Sequence, residues 1–166
     1  MKNIILIGMP GAGKSTAGVI LAKRLGLNFI DTDLVIQERN GRLLQEIIDG
    51  EGPEVFKKIE ETTILALQCH NTVIATGGSV VFSERALQHL KSEGVVVYLK
   101  ISFDEMERRL KNITNRGIVL VAGECLREMY NERISLYEKY ADITITCSDN
   151  DFETVVGDII NNLEKY

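Results

Sequence analysis

Gly8-Met9-Pro10-Gly11-Ala12-Gly13-Lys14-Ser15 decides the fold. The octapeptide fits G-x-x-x-x-G-K-[ST], directly after the strand-like run Asn3–Ile7 (NIILI) and at the head of a helical pattern over 14–25. Glycines there let the backbone wrap a phosphate closely, so that successive N–H groups point inward at a helix N-terminus. On this reading Gly11, Ala12, Gly13, Lys14, Ser15 and Thr16 hold a nucleotide, Lys14 bridges its outer phosphates, and the Ser15 hydroxyl ligates Mg²⁺. Chance alone produces the pattern in on the order of one per cent of chains this long, and its place at the first strand–helix junction lowers that further.

Outward from this loop, short apolar runs alternate with longer amphipathic ones. Asn28–Asp31, Thr72–Ala75, Val95–Leu99 and Ile143–Thr146 also read as strands. Helical patterns cover about 52–69, 83–93, 102–111, 122–139 and 151–165. Most of the strands are apolar on both faces, as parallel strands covered by helices must be. The alternation predicts an α/β domain with a parallel sheet of about five strands. Leu34–Gly50 reads as short helices in an insertion after the second strand, and Asn112–Gly123 (NITNRGIVLVAG) as a mobile flap. With no repeats, low-complexity tracts or linkers, residues 1–166 read as one domain.

Composition narrows the function. Apolar residues make up 45% and charged residues 26% of the chain, the balance of a globular protein. A net charge of −5 gives no basic field for nucleic acid or anionic membranes, so neither is expected as a partner. No apolar run reaches the length of a membrane span. Cys69, Cys125 and Cys147 are odd in number and unpaired in spacing, which suits reduced thiols in the cytoplasm. His70 and His89 lack a second ligand at metal spacing. Nothing marks an interface, and a monomer is expected.

The phosphate acceptor is read from what stands elsewhere. The chain has no Asn-Lys-x-Asp for guanine and no strand ending in Asp-Glu, which sets aside GTPases and motor ATPases. Asp31-Thr32-Asp33 follows the second strand, at the sheet edge where ligands of open α/β folds sit. Alternation along an extended segment puts residues 31 and 33 on one side, one carboxylate to support Mg²⁺ and the other to hold an acceptor hydroxyl.

With these motifs in order, the chain resembles the shikimate kinase family over nearly its whole length. The resemblance lies in GMPGAGKS at 8–15, DTD at 31–33, EVFKKIEE at 54–61, TGGS at 76–79, Arg116 and RISLYEKYAD at 133–142. It implies a three-layer α/β/α P-loop domain of the nucleoside-monophosphate-kinase type, with a mobile lid over about 112–123 and an acceptor-binding insertion over about 34–60. The implied activity moves the γ-phosphoryl group of ATP to the 3-hydroxyl of shikimate, with Mg²⁺. Lys14, Asp33 and Arg116 would be catalytic, and Ser15 and Asp31 would hold the metal. Arg109 would stack on adenine and Arg116 would close over the phosphates. Asp33, Lys57, Gly77, Gly78, Ser79 and Arg133 would form the shikimate site, supported by Glu60.

Three positions depart from the family pattern. Lys57 stands where the family has a second carboxylate-gripping arginine, and lysine lacks the planar fork. Gly77-Gly78-Ser79 replaces a glycine triplet, and Arg116-Gly117-Ile118-Val119 replaces the usual Arg-Pro-Leu-Leu. A kinase for another small hydroxy acid, or a non-catalytic nucleotide-binding relative, stays open on these grounds. Taken alone, Glu60 and Lys57 sit on a charged helix face that would ordinarily be solvated, and Arg109 is chosen over Arg108 by spacing only. Tyr98, Tyr130 and Phe152 read as core residues.

Overall fold

β1 (Asn3–Ile7) is buried at all five positions, as a strand needs to be when neighbours flank both edges and helices cover both faces. The computed structural model describes residues 2–111, 125–147 and 151–166. In it β2 (Asn28–Asp31), β3 (Thr72–Ala75), β4 (Gly94–Lys100) and β5 (Ile143–Thr146) complete a five-stranded sheet ordered β2-β3-β1-β4-β5. Every pairing is parallel, with Ile5 opposite Ile74 on one side and Val96 on the other. The edge strands differ from the centre as expected: β5 alternates buried and exposed, and β2 is only partly covered.

The helices follow in chain order: α1 (Lys14–Leu25), α2 (Thr32–Asn40), α3 (Leu44–Glu51), α4 (Pro53–Leu65), α5 (Glu84–Glu93), α6 (Phe103–Lys111), α7 (Leu126–Tyr140) and α8 (Phe152–Leu163). A 3-10 helix, Gly78–Phe82, lies between β3 and α5. The chain leaves β1 toward β2 in one direction and leaves β3 toward β4 in the other, so right-handed crossovers place α1 and α5 on opposite faces. This also makes the carboxyl ends of β1 and β3 the switch point where ligands of open α/β sheets bind.

The insertion carries its own small core. Ile36, Leu44, Ile47, Ile48 and Phe56 pack together and tie α2, α3 and α4 into one unit beside the sheet. Helix limits differ from the expected patterns, and the pattern over 151–165 is helical as Phe152–Leu163. The segment read as 52–69 ends as α4 at Leu65, and the one read as 122–139 is helical over Leu126–Tyr140. The expected flap at 112–123, with Arg116, lies outside the described residues.

Candidate active site

Three strand ends deliver the site. After β1 the loop turns through Gly8, Gly11 and Gly13 at φ of 151°, 82° and 88°, a region that glycine enters without penalty. Two of these glycines are also required by space. A Cβ on Gly8 would stand 2.6 Å from the Leu99 carbonyl oxygen, and one on Gly13 would stand 2.4 Å from the Phe152 ring. Lys14 opens α1, only 7% exposed, and its Nζ donates to the Gly8 and Met9 carbonyls at 2.8 and 2.9 Å. The ammonium is thereby held inside the loop it serves. Gly11 and Ala12 are buried in the loop, while Thr16 lies exposed on the first turn of α1.

After β2, Asp31 caps α2. One carboxylate oxygen accepts from the Asp33 amide at 3.0 Å and the other from Ser15 Oγ at 2.6 Å. The strand alternation expected for residues 31–33 is absent, because α2 begins at Thr32, an Asp side chain at the N-cap being able to satisfy an orphan amide. Both aspartates still face the site, presented by a helix start instead of a strand. Ser15 and Asp31 place two hard oxygens together beside the loop, a donor set that fits Mg²⁺. Arg109 reaches over the loop from α6, its Nη1 donating to the Gly11 carbonyl at 2.9 Å while Glu105 holds its Nε at 2.6 Å. Its neighbour Arg108 pairs with Glu105 at 2.6 Å and is more than half exposed.

After β3 comes the acceptor side. Gly77 separates two carboxylates: a Cβ there would stand 2.6 Å from Glu60 Oε2 and 2.8 Å from Asp33 Oδ1. Gly78 fits as closely, its missing Cβ lying 3.0 Å from both Arg133 Nη1 and Pro10 Cδ, which presses the acceptor loop against the phosphate loop. Glu60 is not solvated as its charged helix face suggests; it is 3% exposed, and burial raises its carboxyl to about 7 despite the Ser79 hydrogen bond. Arg133 is 2% exposed on α7. Lys57 pairs with Glu54 at 3.3 Å, on the rim of a cleft of about 170 Å³ that Glu60, Ser79 and Phe82 also line.

Phe82 and Tyr137 belong to this site although sequence reading did not select them. The Lys57 ammonium lies 4.6 Å and the Arg133 guanidinium 5.3 Å from the Phe82 ring centroid, so one aromatic ring gathers both cations. Tyr137 donates to the Gly78 carbonyl at 2.5 Å and stacks on Tyr98 at 5.1 Å, which fixes the acceptor loop from below. Its place one turn after Arg133 was the available signal. Tyr98 and Tyr130 are buried in the core, and Phe152 packs at its edge.

The site thus joins Gly11, Gly13, Lys14, Ser15, Asp31 and Arg109 on one side to Asp33, Lys57, Glu60, Gly77, Gly78, Ser79 and Arg133 on the other. Comparison with known proteins gives a consistent result. The shikimate kinase family model matches residues 10–164. Shikimate kinase of Vibrio cholerae is 38% identical over 99% of this chain and 97% of its own length. That of Colwellia psychrerythraea is 40% identical, covering 98% and 97%. Among solved structures, a shikimate kinase from Acinetobacter baumannii in complex with shikimate superposes with a TM-score of 0.92 at 30% identity, covering 99% of this chain and 94% of that one. The enzyme from Aquifex aeolicus gives 0.84 at 33% identity over 98% and 96%. With the family model matched over residues 10–164 and relatives 38–40% identical along nearly the whole length, this chain belongs to the shikimate kinase family.

Proposed function

We propose that the protein transfers the γ-phosphoryl group of ATP to the 3-hydroxyl of shikimate. The observation that carries this reading is the convergence of Lys57 and Arg133 on Phe82, beside the facing carboxylates of Asp33 and Glu60. Lys57 and Arg133 suit a small carboxylate, Asp33 and Glu60 suit hydroxyl groups, and the phosphate loop meets the acceptor loop where Pro10 packs against Gly78.

Each residue has a physical part. The loop amides and Lys14 hold the outer phosphates of ATP, and Arg109 borders the space for the base. Mg²⁺, when bound by Ser15 and Asp31, neutralises phosphate charge. Asp33 accepts from the attacking hydroxyl, holding it in line and taking its proton. Gly77 and Gly78 let the acceptor ring approach the backbone, while Arg133 and Lys57 hold its carboxylate. Arg116, assigned by resemblance alone, brings further positive charge to the transferring group from the lid segment at 112–123. The transition state of such a transfer is loose and charged, so positioning and electrostatic stabilisation do most of the catalysis.

We read residues 1–166 as one monomeric unit working in the cytoplasm. Among the described residues no helix is long and apolar enough to cross a membrane, and Cys69, Cys125 and Cys147 are free thiols, as a reducing compartment would keep them.

A coupled ADP assay with Mg²⁺, with and without millimolar shikimate, tests the proposal. Saturable, shikimate-dependent ADP release is expected. Nucleotide binding without such release would overturn shikimate as the acceptor and favour another hydroxy acid. Lys57→Arg restores a planar fork opposite Arg133. It is expected to lower KM for shikimate about threefold to tenfold with little change in kcat. An unchanged or higher KM would mean that residue 57 does not meet the carboxylate.

A further inference from the structure

Ser79 enters the acceptor cleft from the 3-10 helix with 5% of its surface exposed. Its Oγ donates to Glu60 Oε1 at 2.7 Å. Among the described residues Glu60 Oε2 is buried without a hydrogen-bond partner, and it and Asp33 Oδ1 both lie against Gly77, 2.6 and 2.8 Å from where a Cβ would stand. A buried carboxylate oxygen without a donor is costly, and the grip on its twin oxygen fixes the rotation of the carboxylate that leaves Oε2 beside Gly77. We propose that Ser79 is a positioning residue for the acceptor: by holding Oε1 it keeps Glu60 Oε2 across Gly77, where it accepts a hydrogen bond from a ring hydroxyl next to the one Asp33 holds. The inference rests on the acceptor being shikimate.

The charges around Glu60 come from several elements. Asp33 on α2 disfavours its ionised form, and Arg133 on α7 and Lys14 on α1 favour it. Tyr137 on α7 is itself held neutral, its hydroxyl pushed up to about 12 by burial. On α4, Lys57 lines the same cleft, and Arg85 of α5 pairs with Glu61 at 3.5 Å. Burial outweighs these, and Glu60 titrates near neutrality. The Ser79 hydrogen bond favours the carboxylate, so its removal must move the midpoint up.

The test compares wild type, Ser79→Ala and Ser79→Thr by two readouts. One is the titration of the Glu60 carboxyl carbon in the free protein by ¹³C NMR, assigned with Glu60→Gln. The other is the pH profile of kcat/KM for shikimate. In Ser79→Ala the Glu60 midpoint and the rising limb of the profile should move together to higher pH. KM at pH 7 should rise about tenfold, kcat on the alkaline plateau should change less than about twofold, and threonine should restore both. An unmoved midpoint and limb, or equal losses in kcat with no rescue by threonine, would overturn the proposal. A wild-type protein without shikimate-dependent turnover would instead overturn the acceptor. The midpoint in the free protein would then decide the Ser79 grip, a rise supporting it and no change refuting it.

Discussion

Lys14→Met is expected to lower phosphoryl transfer by about 10³-fold. The ammonium is the charge that the phosphate loop holds in place, seated on the Gly8 and Met9 carbonyls before any nucleotide arrives. A cation already oriented needs little reorganisation when negative charge spreads over the transferring group, and this makes its removal expensive. Methionine keeps the length of the side chain but removes the Lys14 hydrogen bond from the buried Gly8 and Met9 carbonyls, of which Met9 keeps the Ala12 amide at 3.1 Å. A stability loss of about 1–3 kcal/mol should therefore accompany the kinetic one. The coupled ADP assay at saturating ATP and shikimate, with a thermal melt on the same sample, separates the two. Turnover within tenfold of wild type in a folded protein would show that Lys14 does not face the outer phosphates.

Gly77→Ala is expected to lower kcat/KM for shikimate by about a hundredfold, while ATP affinity stays near wild type. The backbone at Gly77 is ordinary, with φ of −69°, so the effect is one of space and not of conformation. The new methyl would stand inside contact distance of both Glu60 Oε2 and Asp33 Oδ1. Neither carboxylate moves away freely: Ser79 anchors Glu60, and Asp33 sits on the first turn of α2. Displacing both weakens the two hydrogen bonds proposed between these carboxylates and the acceptor, a combined loss of about 3 kcal/mol. Steady-state kinetics with each substrate varied in turn checks this, and a loss below about threefold would separate these carboxylates from the acceptor. Together the two substitutions probe the donor and acceptor halves of one cleft.

The sheet could be read from sequence because β-branched runs such as Thr72–Ala75 and Val95–Leu99 are short, apolar and regularly spaced between amphipathic segments. The phosphate loop was legible for a related reason, since its glycines answer to backbone geometry that no other residue meets so cheaply. Helix ends were less so: α4 stops at Leu65 although apolar residues continue the pattern, since periodicity marks a face and not a terminus. Asp31 and Asp33 were placed near the ligand edge, but by the wrong local geometry, because a capping aspartate and a strand-end aspartate look alike in sequence. Glu60 shows the limit most clearly. In KKIEE nothing distinguishes it from Glu61, yet one is 3% exposed and the other pairs with Arg85 at the surface. Burial of a charge is decided by what packs above it, here a 3-10 helix some twenty residues later in the chain. Phe82 and Tyr137 escaped for the same reason, their roles being fixed by partners distant in sequence.

Glu60 also sets folding and binding against each other through a single proton. In the unfolded chain its carboxyl titrates near 4.5, and in the folded chain near 7. Between those values the folded form binds the proton and the unfolded form releases it, so stability falls as pH rises through that window. The full penalty, on the order of 3 kcal/mol, is present above the folded midpoint. Accepting a hydroxyl requires the opposite, an ionised Glu60. Near neutral pH the empty enzyme is therefore weakened by the same charge that prepares it for its acceptor, and a bound acceptor, by donating to that charge, returns the stability that readiness has cost.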